Sequence, residues 1–317
     1  MKFLKIAVTA VSFAILAALI AYADPAKLVP ILSNARLEII AGALGLSVIS
    51  MMLRVAKWKA LLGKASFGAL LPIQMLGMTI SNFTPGKMGE PAKSLILKLR
   101  SGIDVSQSFP SIIWERVVDV LVLVVLAATA FAFLPLTGNL LILGALGMAA
   151  FLGLAMLALL VLHSKKVGLR LFGFARKFPI LRNISEDFVK TFYEVRQGKK
   201  ALVACLVLTA AAWLLDGVVF WLSFLAIGIQ LDVALFPGIL ALATAVGIAS
   251  SLPGGLGSSE VVLAALLGLL GVEAVFAVTG VLLARFLTFW FVTAVGGISM
   301  AYLGRKIDLR SALGGKA

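Results

Sequence analysis

The stretches Asn82-Phe83-Thr84-Pro85-Gly86-Lys87-Met88-Gly89-Glu90 and Pro253-Gly254-Gly255-Leu256-Gly257-Ser258-Ser259-Glu260 each set a Pro-Gly break, then a glutamate, inside a long apolar region. Arg116 follows the first proline by 31 residues, and Arg285 follows the second by 32. Two breaks of one kind, each with short apolar arms and each followed by a long apolar segment carrying an arginine, point to an internal duplication. Proline removes a backbone donor and glycine relaxes steric limits, so each break frees peptide groups. In a membrane such backbone is tolerated where it is buried in protein or lines a cavity, which makes breaks of this kind candidate binding sites.

Working outward, the chain of 317 residues is 62% hydrophobic with a mean hydropathy of +1.11. Soluble domains are nearer ~45–50% apolar even with glycine counted, so the class is a polytopic membrane protein. The formal charge of +14 and pI of 10.2 raise the question of nucleic acid. No soluble base-reading or phosphate-binding module accompanies that charge, so basic cytoplasmic loops account for it and no nucleic-acid partner is expected. Cys205 and His163 are single residues of their kinds. They exclude an intrachain disulfide and a His/Cys metal cluster, and no cofactor or catalytic activity is expected. Met1-Lys2-Phe3-Leu4-Lys5 and the apolar run to Ala23 also fit a secretory signal, with Ala21-Tyr22-Ala23 as its cleavage site. A retained first helix is preferred, because the run is long enough to span and further spans follow.

About 20 residues are needed to cross a ~30 Å hydrocarbon core. Residues 4–23, 37–56, 105–134, 139–162, 201–229 and 273–302 meet that need, whereas 67–100 and 235–271 are interrupted near their middles. The expected fold is an all-α polytopic membrane protein of six full transmembrane helices plus two re-entrant helical hairpins in an inverted-topology repeat. Lys57, Lys59 and Lys64 precede the first broken region, and Lys98 and Arg100 follow it. Ten Lys or Arg between 163 and 200 face only Glu186, Asp187 and Glu194. These basic segments read as cytoplasmic, the short connectors as external, and both termini as cytoplasmic in the cell membrane. Hairpin 67–100 then dips from inside and hairpin 235–271 from outside, so their breaks meet within the bundle.

The chain divides as one membrane domain. Residues 1–36 are the first helix and its outer connector, 37–134 repeat one, and 135–162 the fourth span. Residues 163–200 are a basic amphipathic cytoplasmic linker interrupted by Pro179, 201–304 repeat two, and 305–317 a cytoplasmic tail.

Candidate ligand-binding residues cluster at the breaks. The amides and positive dipole end of the half-helix after each break attract an anion, and Lys87 adds a formal charge. Pro85, Gly86 and Gly89 shape the first break; Pro253, Gly254, Gly255 and Gly257 shape the second. Ser258 or Ser259 is placed to cap the half-helix that follows, and to offer a hydroxyl to a phosphate oxygen. An unpaired carboxylate is costly in hydrocarbon, so Glu90 and Glu260 call for cations, and repeat symmetry offers Arg116 and Arg285. Those pairs either leave guanidinium donors for a ligand phosphate or serve only to lock the hairpins. Glu115, Arg116 and Asp119 crowd one turn, while the matching window 284–288 keeps only Arg285. Asp216 is a buried candidate either for proton coupling or for pairing with Lys87 or an arginine. Lys93 continues the polar face or snorkels to the interface.

These motifs, with Glu115-Arg116-Val117-Val118-Asp119, resemble the family named for the transmembrane region of lysylphosphatidylglycerol synthase, also described as flippase-like membrane proteins. The resemblance covers nearly the whole chain. It implies movement of a phospholipid or polyprenyl-phosphate-linked lipid between leaflets, with an aminoacyl phospholipid one candidate. With no soluble synthase segment, lipid synthesis is not implied. The remaining readings are an ion-coupled transporter of a small anion and a noncatalytic membrane partner of a glycosyltransferase or lipid-modifying enzyme.

Overall fold

The computed structural model describes residues 2–84, 89–134, 138–175, 193–195 and 197–305. Apolar sequence without water must satisfy its peptide groups internally, and the described chain does so as helix throughout, with no strand among the described residues. The helices are α1 (Lys2–Tyr22), α2 (Pro25–Ser33), α3 (Leu37–Leu62), α4 (Phe67–Asn82), α5 (Ala92–Ser101), α6 (Val105–Phe133), α7 (Gly138–His163), α8 (Lys165–Ala175), α9 (Lys199–Ala226), α10 (Leu235–Ala249), α11 (Ser258–Leu269) and α12 (Ala274–Gly304). Within α12, residues Phe286–Trp290 form a π-helical segment.

Among the described residues, α3, α9 and α12 are long and apolar enough to cross a membrane. A fourth span results if Thr9–Tyr22 and Pro25–Ser33, bent by 80°, count as one. The connector expected at 24–36 is therefore largely helical. Exposure is inverted relative to a soluble protein. Val125, Val203 and Ile298 are exposed, while Lys57, Lys93 and Glu115 are at most 1% exposed. Apolar side chains thus face outward and charges inward, as a lipid solvent requires.

Both interrupted regions form two helical arms that pack on each other, α4 with α5 and α10 with α11. In the first, the Lys93 stem lies where a Cβ on Gly77 would sit. In the second, the backbones of Gly247 and Gly255 touch. The packing between the two halves is reciprocal. Helix α3 lies along α9, α4 lies along the last part of α12, and α10 lies along α6. Small residues allow these approaches. Gly296 admits Thr79, whose Oγ1 donates to the Val292 carbonyl at 3.3 Å, and Gly238 meets the backbone of α6 at Leu126 and Ala130. The first arm of each hairpin therefore rests on the closing helix of the opposite half.

Candidate functional site

The second break is fully described. Ala249 ends α10, Pro253–Gly255 make a single 3₁₀ turn, and α11 begins at Ser258. Gly254, Gly255 and Gly257 have φ of 61°, 67° and 86°, a left-handed backbone that glycine adopts without a Cβ penalty. Gly254 also has no room for a side chain, since the Phe289 ring and the Asn82 carbonyl occupy the space. Asn82 is the last residue of α4, so the end of that arm meets the second break.

The serines do not cap α11. Gly257 is the cap residue, and Glu260 accepts its N–H at 2.7 Å. Ser258 and Ser259 instead donate to the Gly255 carbonyl at 3.1 and 2.8 Å. The expected capping role passes to Glu260 because its longer side chain reaches back three residues, the acidic half of a capping box. Glu260 Oε1 takes the Arg285 Nε–H at 2.5 Å, and Arg285 Nη2 donates to the Gly254 carbonyl at 3.0 Å. One guanidinium thus ties α12 to both the turn and the half-helix.

Glu90 and Arg116 form the matching pair at the first break. Gly89 lies there against Ile80 and Thr84, while Pro85, Gly86, Lys87 and Met88 lie outside the described residues. Arg116 is also 3.1 Å from Asp119. Asp119 receives Lys57 at 2.6 Å, and Lys57 is 3.4 Å from Glu115. Lys93 closes the chain, donating to Glu115 at 2.7 Å and Gln74 at 2.9 Å over the Trp58 ring. Lys93 therefore does not snorkel, and Lys57 is not a loop flank. Helix α3 runs to Leu62, six residues beyond the expected end of that span, and this carries Lys57 into the bundle.

Asp216 of α9 pairs with Arg54 of α3 at 2.5 Å and accepts the Ser50 hydroxyl at 2.6 Å, while Arg54 also stacks on Trp213. Arg54, Lys57 and Gln74 were missed in the sequence. Their signal was the spacing Ser47, Ser50, Arg54, Lys57, one polar stripe on an otherwise apolar helix.

These groups surround a cavity of about 130 Å³, well above the ~15 Å³ that a single water needs. Arg54, Glu90, Arg116, Asp119, Asp216 and Arg285 line it. Asp119, Glu90 and Arg116 come from the first half, and Arg285 and Asp216 from the second, so the expected residues do converge. Ser259 instead lines a smaller neighbouring space beside Arg285. Among the described residues, five cations (Arg54, Lys57, Lys93, Arg116, Arg285) oppose five carboxylates (Glu90, Glu115, Asp119, Asp216, Glu260). The described part of the network is therefore formally neutral, and its cations reach a ligand only in competition with carboxylates. Among the described residues, three buried polar atoms facing this region have no hydrogen-bond partner, namely Arg116 Nε, Trp213 Nε1 and Glu90 Oε2. No group of three or more His, Cys, Asp or Glu able to hold a metal occurs among the described residues.

The sequence profile of the family described as "Lysylphosphatidylglycerol synthase TM region" matches residues 6–296. A UPF0104 membrane protein of Methanothermobacter thermautotrophicus is 27% identical over 316 residues, covering 94% of each chain. Another from Pyrococcus horikoshii is 26% identical over 311 residues, covering 90% of this chain and 92% of its own. Glycosyltransferase AglD of Haloferax volcanii is 23% identical over 287 residues, which is 78% of this chain and 46% of that protein.

Proposed function

Since the chain belongs to the lysylphosphatidylglycerol synthase transmembrane-region family, we propose that it moves an anionic phospholipid or lipid-linked head group between leaflets by alternating access. The observation that carries this reading is the cavity between the described ends of the interrupted regions, lined by Arg116 and Arg54 from one half of the chain and Arg285 from the other. A phosphate held by Arg116 and Arg285, near the amino end of α11, crosses without entering hydrocarbon, while its acyl or prenyl chains stay in lipid. Lys87, which lies outside the described residues, and Ser258 and Ser259, whose hydroxyls in this structure bond back to the Gly255 carbonyl, are further head-group contacts in this proposal.

In this reading the halves 37–134 and 201–304 are inverted repeats, the arms at 67–100 and 235–271 are re-entrant, and α1, α3, α6, α7, α9 and α12 are the six spans. The reciprocal packing of each first arm on the opposite closing helix supports that relation. The arrangement has both termini cytoplasmic.

The test is exchange of labelled phosphatidylglycerol and phosphatidylcholine between leaflets in proteoliposomes. A charge-assisted hydrogen bond is worth about 1.5–3 kcal/mol, so Arg116→Gln or Arg285→Gln lowers exchange roughly ten- to a hundredfold. Folded variants that both exchange lipid at the normal rate remove the head-group roles, and folded wild type inactive on a broad lipid panel removes the flippase.

A second reading is favoured by the match to part of a glycosyltransferase. As a membrane partner of such an enzyme, the chain would present segment 163–200 to it, and neither arginine variant would disturb the association.

A further inference from the structure

The reading of the cavity as a head-group site leaves open how a neutral network accepts an anion. Arg116 cannot bind a phosphate and keep both of its carboxylates without leaving uncompensated negative charge in a low dielectric. One carboxylate has to give way, and the hydrogen bonds show which.

Asp216 uses one oxygen for Ser50 and the other for Arg54. Glu260 uses one for Arg285 and the other for the Gly257 N–H. Glu115 has Lys93 on one oxygen and Lys57 and Gln74 about the other. Asp119 has Lys57 on one and Arg116 on the other. Among the described residues, Glu90 alone of these five has a buried oxygen, Oε2, with no hydrogen-bond donor, and the nearest described cation there is Lys93 at 3.7 Å. Its partner Arg116 also keeps a bare Nε and is 34% exposed, against 16% for Arg285. Glu90 lies in the cavity wall, in the irregular segment just before α5.

We propose that Glu90 is a built-in stand-in for the substrate, occupying on Arg116 the place that a monoanionic phosphodiester takes, and that it accepts one proton when it is displaced. The exchange balances. The Glu90–Arg116 ion pair is replaced by a phosphate–Arg116 pair, a proton given up by a buffer acid in solution and relayed by water binds Glu90 Oε2, and the ligand's negative charge is matched by that proton. No other bond is made or broken. Among the described residues, the charged groups around Glu90 that enter this balance are Glu115, Arg116 and Asp119 of α6, Lys93 of α5, and, across the cavity, Arg54 and Lys57 of α3, Asp216 of α9 and Arg285 of α12. Lys93, already held by Glu115 and Gln74, is too committed to neutralise a released Glu90 carboxylate. Release of the head group returns the proton, so the two move together.

The experiment uses the full chain in detergent, titrated at weak buffering with dihexanoyl-phosphatidylglycerol, with dihexanoyl-phosphatidylcholine and inorganic phosphate as comparison arms. Phosphatidylglycerol binding takes up about one proton per lipid, and affinity falls about tenfold per pH unit where free Glu90 is ionised. The zwitterionic lipid takes up none. Glu90→Gln binds phosphatidylglycerol with no proton uptake and a flat pH profile. The wild-type stoichiometry needs no variant, and Glu90→Asp, which keeps the carboxyl, restores the slope if Glu90→Gln folds poorly. Lipid binding without proton uptake, or uptake that survives in Glu90→Gln, overturns the displaced-carboxylate step and leaves the site standing. Binding of inorganic phosphate but of neither lipid overturns the head-group site, and the proposal with it.

Discussion

Lys57 shows how position along a helix changes the meaning of a residue. A lysine near the end of an apolar run reads as a cytoplasmic flank, yet here the helix continues past it and the amine sits between Asp119 and Glu115. The same holds for Lys93, which belongs to a short arm yet is wholly buried. Breaking one member of a buried pair leaves an uncompensated charge, so Lys57→Met lowers stability by about 3–5 kcal/mol. Replacing both partners, Lys57→Met with Asp119→Leu, recovers most of that loss. Thermal unfolding in micelles reads both, and a double variant as unstable as the single one contradicts the pairing. Glu90–Arg116 and Glu260–Arg285 were legible from the repeat, because a carboxylate after a break and an arginine on the next long helix recur together. Lys57–Asp119 and Arg54–Asp216 join residues 62 and 162 positions apart with no repeated motif to announce them.

At the scale of elements, the two hairpins do the same job with different chemistry. The second is locked by glycines at positive φ, a glutamate cap and an arginine that spans turn and half-helix. The first relies on the lysine-centred network under Gly77. The serine cap expected at α11 failed because Gly257 supplies the turn and Glu260 the acceptor, which frees both hydroxyls to bond backward. Helix α12 holds a device with no obvious sequence mark, the π segment Phe286–Trp290, which places Thr288 and Phe289 on the cavity directly after Arg285. A π segment is a local one-residue excess within an α-helix and is common at functional sites. Deleting Trp290 therefore restores α geometry while Arg285, Val292 and Gly296 keep their faces, so the melting temperature changes little and lipid exchange drops several-fold. Deleting Ala277, in the regular part of the same helix, rotates the turns beyond it and unfolds the protein. Equal loss of thermal stability in the two deletions contradicts this account.

At the scale of the molecule, the two halves hold each other through reciprocal contacts, and the charged cavity lies between them. The proposed inverted repeat requires the outer ends of the two interrupted regions to face opposite compartments. In a Cys205→Ser background, an impermeant thiol reagent added outside cells labels Asp232→Cys and leaves Lys64→Cys untouched until the membrane is opened. Both native side chains are exposed, and the removed cysteine is buried. Labelling of both sites from one side contradicts inverted entry. The sequence by itself determined the membrane class, the helical runs, the two breaks and the Glu–Arg pair attached to each, because hydropathy, Pro-Gly chemistry and spacing are local properties of a chain. It did not determine which polar stripe meets which. Only the tertiary structure decided that Arg54, Lys57, Lys93 and Gln74 join the site, that the network balances to neutrality, and that Glu90 is its least satisfied carboxylate. Burial and pairing depend on how distant helices rotate toward one another, and that rotation is set by close contacts such as Thr79 on Gly296 and Gly238 on Ala130.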